Sequence, residues 1–237
     1  MTSAPPLLEA RNVGRRTPNG NWLLHEISLQ IDAGSRTAIV GGTGCGKSVL
    51  LRSLARLDAI NAGSIFWKGE KIHGHTVPRF RAQAIYVQQR PILSDDTVEE
   101  ILRAPFVFQS HREKVFSRKT AISLLEKIDR DVGFLDRPAR DLSGGESQIV
   151  ALVRTLQLEP SILMLDEPTA SLDQESTRAI EKLVEGWLSQ STGTRGVLWV
   201  SHDRKQVDRI ADRVLHMRSG RILEEPIGTE EQNPGLP

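Results

Sequence analysis

The segment Gly41-Gly42-Thr43-Gly44-Cys45-Gly46-Lys47-Ser48 constrains this 237-residue chain more than any other. It satisfies the pattern G-x-x-x-x-G-K-[ST], follows the apolar run Thr37–Val40 and leads into the helix-forming stretch Lys47–Arg56. Glycines let a backbone wrap closely around phosphate oxygens, and the free N–H groups and dipole of a helix start favour negative charge. Lys47 is placed to reach the β- and γ-phosphates of a nucleoside triphosphate, and Ser48 to ligate Mg²⁺ through its hydroxyl. The expected phosphate-binding set is therefore Gly41, Gly42, Thr43, Gly44, Cys45, Gly46, Lys47, Ser48 and Val49.

The rest of the chain supplies a frame for such a loop. Apolar runs bounded by turn residues predict strands at Leu7–Val13, Ile27–Ile31, Thr37–Val40, Ser64–Trp67, Ile85–Val87, Ile162–Leu165, Val197–Val200 and Val214–Met217. Helical patterns fall at Lys47–Arg56, Arg118–Ile128, Gly145–Leu156, Gln174–Leu188 and Lys205–Ala211. Strands alternating with helices indicate an α/β fold with a mainly parallel sheet. Residues 91–156 show no strand pattern and read as a helical insertion within that core. The tail 224–237, with its prolines and acids, reads as a flexible end.

Composition excludes several classes. Lys and Arg number 31 against 30 Asp and Glu, so the near-zero net charge gives no reason to expect nucleic acid as a partner. The longest stretch without a charge, Thr37–Gly46, is far short of the roughly 20 apolar residues a spanning helix needs. Residues 1–6 carry neither a basic start nor an apolar run, and the single Cys45 cannot form an internal disulfide, so a reducing, cytoplasmic setting is expected.

A triphosphate loop serves kinases, GTPases and ATPases alike, and the second acidic element narrows the choice. The run Ile162-Leu163-Met164-Leu165 ends in Asp166-Glu167, where a carboxylate that orients Mg²⁺ belongs, and Asp166 fits that role. Successive strand side chains point to opposite sides, so Glu167 cannot duplicate Asp166. It is placed instead to polarise a water for in-line attack on the γ-phosphate.

Upstream of Asp166, Leu142-Ser143-Gly144-Gly145-Glu146 resembles the signature motif of the ATP-binding cassette (ABC) ATPases. Ser143 and the two glycines precede a helix, which makes them a second phosphate-binding surface. The other landmarks of that family follow in order. Gln89, preferred over Gln88 because Pro91 follows at the familiar spacing, matches the glutamine at the junction with the helical subdomain, able to touch Mg²⁺ or the attacking water. Glu167-Pro168-Thr169-Ala170-Ser171-Leu172-Asp173 resembles the acidic strand end running into the D-loop, with Asp173 as helix cap and cross-dimer contact. His202 resembles the switch histidine that donates to the γ-phosphate.

The resemblance spans about residues 7–223 and implies a fold, a mechanism and partners. The fold is a RecA-like P-loop NTPase core (about 7–90 and 157–223) with an N-terminal antiparallel β-subdomain and an inserted helical subdomain (about 91–156), all in one ATP-binding domain. Two copies join head to tail, each MgATP lying between the phosphate loop of one and Ser143, Gly144, Gly145 and Glu146 of the other. Hydrolysis, catalysed by Glu167 with His202 and Gln89, releases the pair and drives a multi-span membrane permease on a separate chain. The subunit would be peripheral, on the cytoplasmic face of the inner membrane.

Within the family the chain is similar to the ATP-binding subunits of two-component metal-tolerance and iron-export transporters. Alternatives are the ATPase subunit of a phosphate or amino-acid importer, or a soluble ABC ATPase outside transport. Ile149 departs from the usual Arg, and Arg15, Arg16 and Thr17 stand where an aromatic usually stacks on adenine. The base would then rest either on the Arg16 guanidinium or on Trp22.

Overall fold

The computed structural model describes residues 4–191 and 193–223, and the expected flexible tail lies outside the described residues. Two sheets form the frame. The first is antiparallel, built from β1 (Leu8–Arg16), β2 (Trp22–Ile31), β4 (Ala62–Trp67) and β5 (Glu70–Lys71) in the order β2-β1-β4-β5. The second contains β3 (Arg36–Val40), β6 (Ala84–Val87), β7 (Ile162–Asp166), β8 (Gly196–Val200), β9 (Arg213–Arg218) and β10 (Arg221–Leu223), ordered β10-β9-β3-β8-β7-β6. Its neighbours are parallel except for the antiparallel β9–β10 pair at one edge. All eight expected strands form, and the predicted α/β architecture with an antiparallel β-subdomain is what the structure contains.

The helices are α1 (Lys47–Leu54), α2 (Val77–Arg81), α3 (Val98–Arg103), α4 (Arg118–Glu126), α5 (Gly144–Leu156), α6 (Gln174–Ser189) and α7 (Arg204–Ile210). Short caps define several ends. Thr97 and Glu100 form a reciprocal capping box on α3, and Ser117 and Asp173 accept backbone N–H groups at the starts of α4 and α6. Residues 91–156 contain α3, α4, α5 and 3₁₀ turns, with one isolated bridge between Thr97 and Pro138.

Burial explains how the sheet aims its side chains. Every residue of β7 is buried, and its side chains divide by parity between two apolar cores. Ile162 and Met164 join the core shared with α1 and the antiparallel sheet, whereas Leu163 and Leu165 join the core under α5 and α6. Asp166 has the parity of Ile162 and Met164, so the strand delivers its carboxylate to the side of α1 and the phosphate loop. Each fully buried Leu or Ile here contributes about 2 kcal/mol, which makes the placement costly to disturb.

An ion-pair cluster fastens α1 to the first strand. Arg52 grips Asp58 through Nε at 2.8 Å and Nη2 at 2.9 Å, and Arg15 pairs with the same carboxylate. The hydrogen bond from Arg52, opposed by burial and reinforced by Arg15, lowers the Asp58 pKa to about 2 from an ordinary 3.8. A depressed carboxyl stabilises the fold above its unfolded pKa and loses that contribution as pH falls through the folded value. Asp58→Asn should therefore cost about 1 kcal/mol at neutral pH, the figure allowing for screening at the exposed Arg52. In thermal melts the gap between variant and parent should close as pH falls from about 4 to about 2; a gap independent of pH would contradict the assignment.

Candidate functional site

A parallel sheet presents the C-terminal ends of its strands on one edge, and four such ends meet here. β3 ends in the phosphate loop, β6 leads to Gln89, β7 ends in Asp166, and β8 leads to Ser201 and His202. The register places Asp166 opposite Val200 and Val87 opposite Leu165.

The loop Gly41–Gly46 curls over the start of α1. Lys47, only 6% exposed, donates from Nζ to the carbonyl oxygens of Gly41 at 2.8 Å and Gly42 at 3.1 Å, which holds its ammonium at the loop's mouth. Ser48 is exposed in the first turn of α1. Two glycines are needed for space. A Cβ at Gly41 would lie 2.2 Å from the Met217 carbonyl oxygen, and Gly46 adopts φ 108° at the helix cap. The β9–β10 turn clasps the loop from behind, with Gly220 N–H donating to the Cys45 carbonyl at 2.9 Å. A cavity of about 480 Å³ lies between the loop and residues 216–219.

Facing this loop are the two acids. Asp166 is 2% exposed and accepts a hydrogen bond from the Tyr86 hydroxyl at 2.9 Å. Burial, and then the charge of Asp166, push the Tyr86 phenol well above its ordinary value, so it remains a donor. Glu167 has φ 48°, a left-handed conformation that costs a non-glycine residue of order 1 kcal/mol and that persists only under surrounding constraint. Those constraints are present. Gln89 Nε2 donates to Glu167 Oε2 at 2.8 Å, and His202 Nε2 contacts Glu167 Oε1. The structure thus gathers Gln89, Glu167 and His202 around one carboxylate, and selects Gln89 over Gln88 for that contact.

The signature segment starts α5. Ser143 Oγ accepts from the Glu146 N–H at 3.1 Å, and Glu146 Oε2 accepts from the Ser143 N–H at 2.8 Å, a reciprocal capping box. Glu146 is also bound by Arg137 Nη1 at 2.5 Å. Burial raises the Glu146 pKa, but the hydrogen bonds from Arg137 and Ser143 outweigh it and hold the carboxyl below its ordinary value. The carboxylate is thus engaged in fixing the helix start, while Ser143 and Gly144 lie exposed at its tip. Gly145 has no room for a side chain, since a Cβ would sit 2.8 Å from both Leu172 Cδ2 and the Ser171 carbonyl. Asp173 caps α6, accepting from Ser176 N–H at 2.8 Å.

Several residues with a structural claim on the site carry no motif. Tyr86 is one. Gln148, 4% exposed, donates to the Gln89 carbonyl at 2.8 Å and accepts from the Ser171 N–H at 3.2 Å. Gln206, 3% exposed, donates to Thr169 Oγ1 at 3.1 Å and accepts from Ser201 Oγ at 2.7 Å, tying the His202 loop to the segment after Glu167. Their partners are distant in sequence, and the only local sign for Gln148 is its place at the head of the apolar run Ile149–Val153.

Arg16 and Trp22, expected as alternatives for stacking the base, contact each other in the structure. The Arg16 guanidinium lies 4.0 Å from the Trp22 ring centroid, and Trp22 is 39% exposed. Arg15 is removed to Asp58. The adjoining Leu23 carbonyl is 3.2 Å from where a Gly46 Cβ would be, so the stack borders the phosphate loop.

Because Lys47 is the one buried cation at the mouth of that loop among the described residues, Lys47→Ala should weaken triphosphate binding at least about tenfold. Titration with a fluorescent ATP analogue checks this, and parental affinity would contradict the assignment.

Comparison with known proteins identifies the family. The ABC transporter family model matches residues 24–170. The chain is 30% identical over 218 residues to FetA of Escherichia coli strain K12, described as a probable iron export ATP-binding protein, covering 92% of this chain and 94% of FetA. It is 35% identical over 223 residues to STAR1 of Oryza sativa subsp. japonica, covering 94% of this chain, and spans 63% of STAR1's length. Among solved structures it superposes on the dimeric ATP-binding cassette MJ0796, in a post-hydrolysis state bound to ADP and Pi, with TM-score 0.81 and 26% identity over 92% of this chain and 97% of that one. The family match over residues 24–170 and the relationship to FetA along nearly the full length of both chains show that the chain belongs to the ABC transporter family as an ATP-binding subunit.

Proposed function

We propose that this protein binds and hydrolyses ATP at a site completed by a second copy of itself, and uses that cycle to power a membrane permease carried on a separate chain. The observation that carries the reading is the Gln89–Glu167–His202 cluster standing beside Asp166 on the edge that bears the phosphate loop. A phosphate loop alone binds nucleotide; a fixed carboxylate next to it supplies what hydrolysis needs.

In this reading Gly41–Val49 cradle the phosphates and Lys47 turns from its loop carbonyls to the β- and γ-phosphates. The Arg16–Trp22 stack offers a flat, cationic surface for adenine. Glu167 accepts a proton from, or orients, the attacking water, and Gln89 and His202 keep its carboxylate aimed. On nucleotide binding, His202 can exchange Glu167 for the γ-phosphate. Ser143, Gly144 and Gly145, with the helix start that Glu146 fixes, donate to the phosphate held by the partner subunit, and Asp173 lies on the same face of the pair.

The side chains fit Mg²⁺. Asp166 offers a buried carboxylate held by Tyr86, Ser48 an exposed hydroxyl and Gln89 an amide oxygen, all hard oxygen donors. Held by these residues, the ion would neutralise charge developing on the phosphates.

The whole described chain then forms one cassette, with residues 91–156 as its helical insertion. No helix among the described residues is long and apolar enough to cross a membrane, which accords with a peripheral subunit at the cytoplasmic face. Similarity to FetA supports a metal ion, iron included, as the class of solute.

Glu167→Gln should keep MgATP binding, lose at least about a hundredfold in turnover and elute as a dimer with ATP in gel filtration. Normal turnover would remove Glu167 from its role. A bulky residue at Ser143 should spare ATP binding by the monomer and abolish cooperative hydrolysis; parental hydrolysis would refute the shared site.

A further inference from the structure

The signature helix and the hydrolytic carboxylate of one chain serve different ATP molecules if the site is shared, so something within the chain must hold the two in register. One side chain touches every element involved. Gln148 lies one turn into α5, behind Ser143, and is 4% exposed. Its amide nitrogen donates to the Gln89 carbonyl at 2.8 Å and lies 3.4 Å from the Glu167 carbonyl. Its amide oxygen accepts from the Ser171 N–H at 3.2 Å. The partners are 59, 19 and 23 residues away in sequence.

These carbonyls and this N–H belong to backbone with no regular ladder. Gln89 follows the end of β6, Glu167 sits at φ 48°, and Ser171 lies in the turn before α6. The Gln148 amide is itself buried and must find partners; irregular backbone with no ladder supplies them, and the one amide serves as donor and acceptor together. A few residues away, Gly145 packs against Ser171 and Leu172 without space for a Cβ, so the front of α5 bears on the same turn twice. A displacement of Ser143 therefore moves Gln148, and with it the peptide groups from which Gln89 and Glu167 project.

We propose that Gln148 is a positioning residue that couples the two nucleotides of a dimer: engagement of Ser143 by the partner subunit's nucleotide is transmitted through Gln148 to the Gln89–Glu167 pair of the same chain. The inference rests on the shared-site reading above. It assigns to a buried amide, rather than to the exposed Asp173 alone, the link between nucleotide capture at one site and hydrolysis at the other. Removing the link leaves each half able to bind but not to respond to the other.

The test uses the full chain and two variants. Gln148→Met keeps side-chain volume and removes all the hydrogen bonds. It should bind ATP within about threefold of the parent, lose at least about tenfold in kcat, and show a Hill coefficient for hydrolysis falling from near 2 to near 1. Gln157→Met removes a second buried amide at the far end of α5, one that donates to the Leu102 carbonyl, and reports the effect of lost stability alone. At a matched loss in melting temperature it should retain the parental Hill coefficient. Gln148→Glu keeps an acceptor for Ser171 and regains a donor only when protonated, at a pKa raised by burial. Its kcat relative to the parent should therefore rise as pH is lowered from about 8 to about 6.

Parental cooperativity in Gln148→Met, equal loss of cooperativity in Gln157→Met, or a pH-independent ratio for Gln148→Glu would each overturn the proposal. Should Gln148→Met not fold, the pH ratio of Gln148→Glu decides. Normal turnover by Glu167→Gln would instead overturn the reading of the site itself, which keeps the two failures distinct.

Discussion

The role proposed for Glu167, activating water beside a triphosphate, requires a carboxylate held by fixed donors, and the grip on Glu167 organises the site. Its backbone occupies a conformation that L-residues avoid, and it stays there because β7 and β8 hold the peptide from one side and Gln148 from another. Its side chain is fixed by Gln89 and His202, which arrive from the ends of two other strands. None of this is possible unless the strand ends share an edge, and that follows from the parallel sheet, whose buried strands are apolar on both faces.

The same logic extends to the signature helix. Its start is stiffened three ways: by the capping box, by Arg137 on Glu146, and by Gly145 against Ser171. A rigid start presents Ser143 and Gly144 at constant geometry, which is what recognition of a phosphate on another molecule requires. Rigidity also makes the helix a lever. In the proposed pair, one end of the helix would meet the partner's nucleotide while Gln148, one turn later, holds the Glu167 peptide, so that capture and chemistry would be linked without a moving lid.

Sequence made the chemistry legible where the chemistry dictates spacing. The phosphate loop and Asp166-Glu167 could be read from their spacing because phosphate geometry tolerates few alternatives there, whereas Leu142–Glu146 was legible through its resemblance to a family motif. The strands were legible because burial on both faces demands unbroken apolar runs such as Ile162–Leu165. By contrast β5 and β10 are two and three residues long and largely exposed, so no period marks them. The short helices α2 and α3 were missed because five and six residues span too few turns to establish a period, although the buried Val98, Ile101 and Leu102 and the capping box of Thr97 with Glu100 could have revealed α3. Tyr86, Gln148 and Gln206 escaped because a buried polar residue declares its role only through partners that the fold brings near. Asp166 lies 80 residues from Tyr86, and Thr169 lies 37 from Gln206. Arg16 and Trp22, posed as alternatives, turned out to stack on each other, a contact between strand ends that no single-residue pattern encodes.

The account stands on a triphosphate clasped between complementary surfaces of two identical chains. A structure of the Glu167→Gln protein saturated with MgATP measures this most directly. The account predicts a two-fold pair in which Lys47 and Ser143 of the partner subunit contact the same γ-phosphate, within hydrogen-bond distance of it. Nucleotide held by one chain alone, with Ser143 of either copy facing solvent, would contradict it.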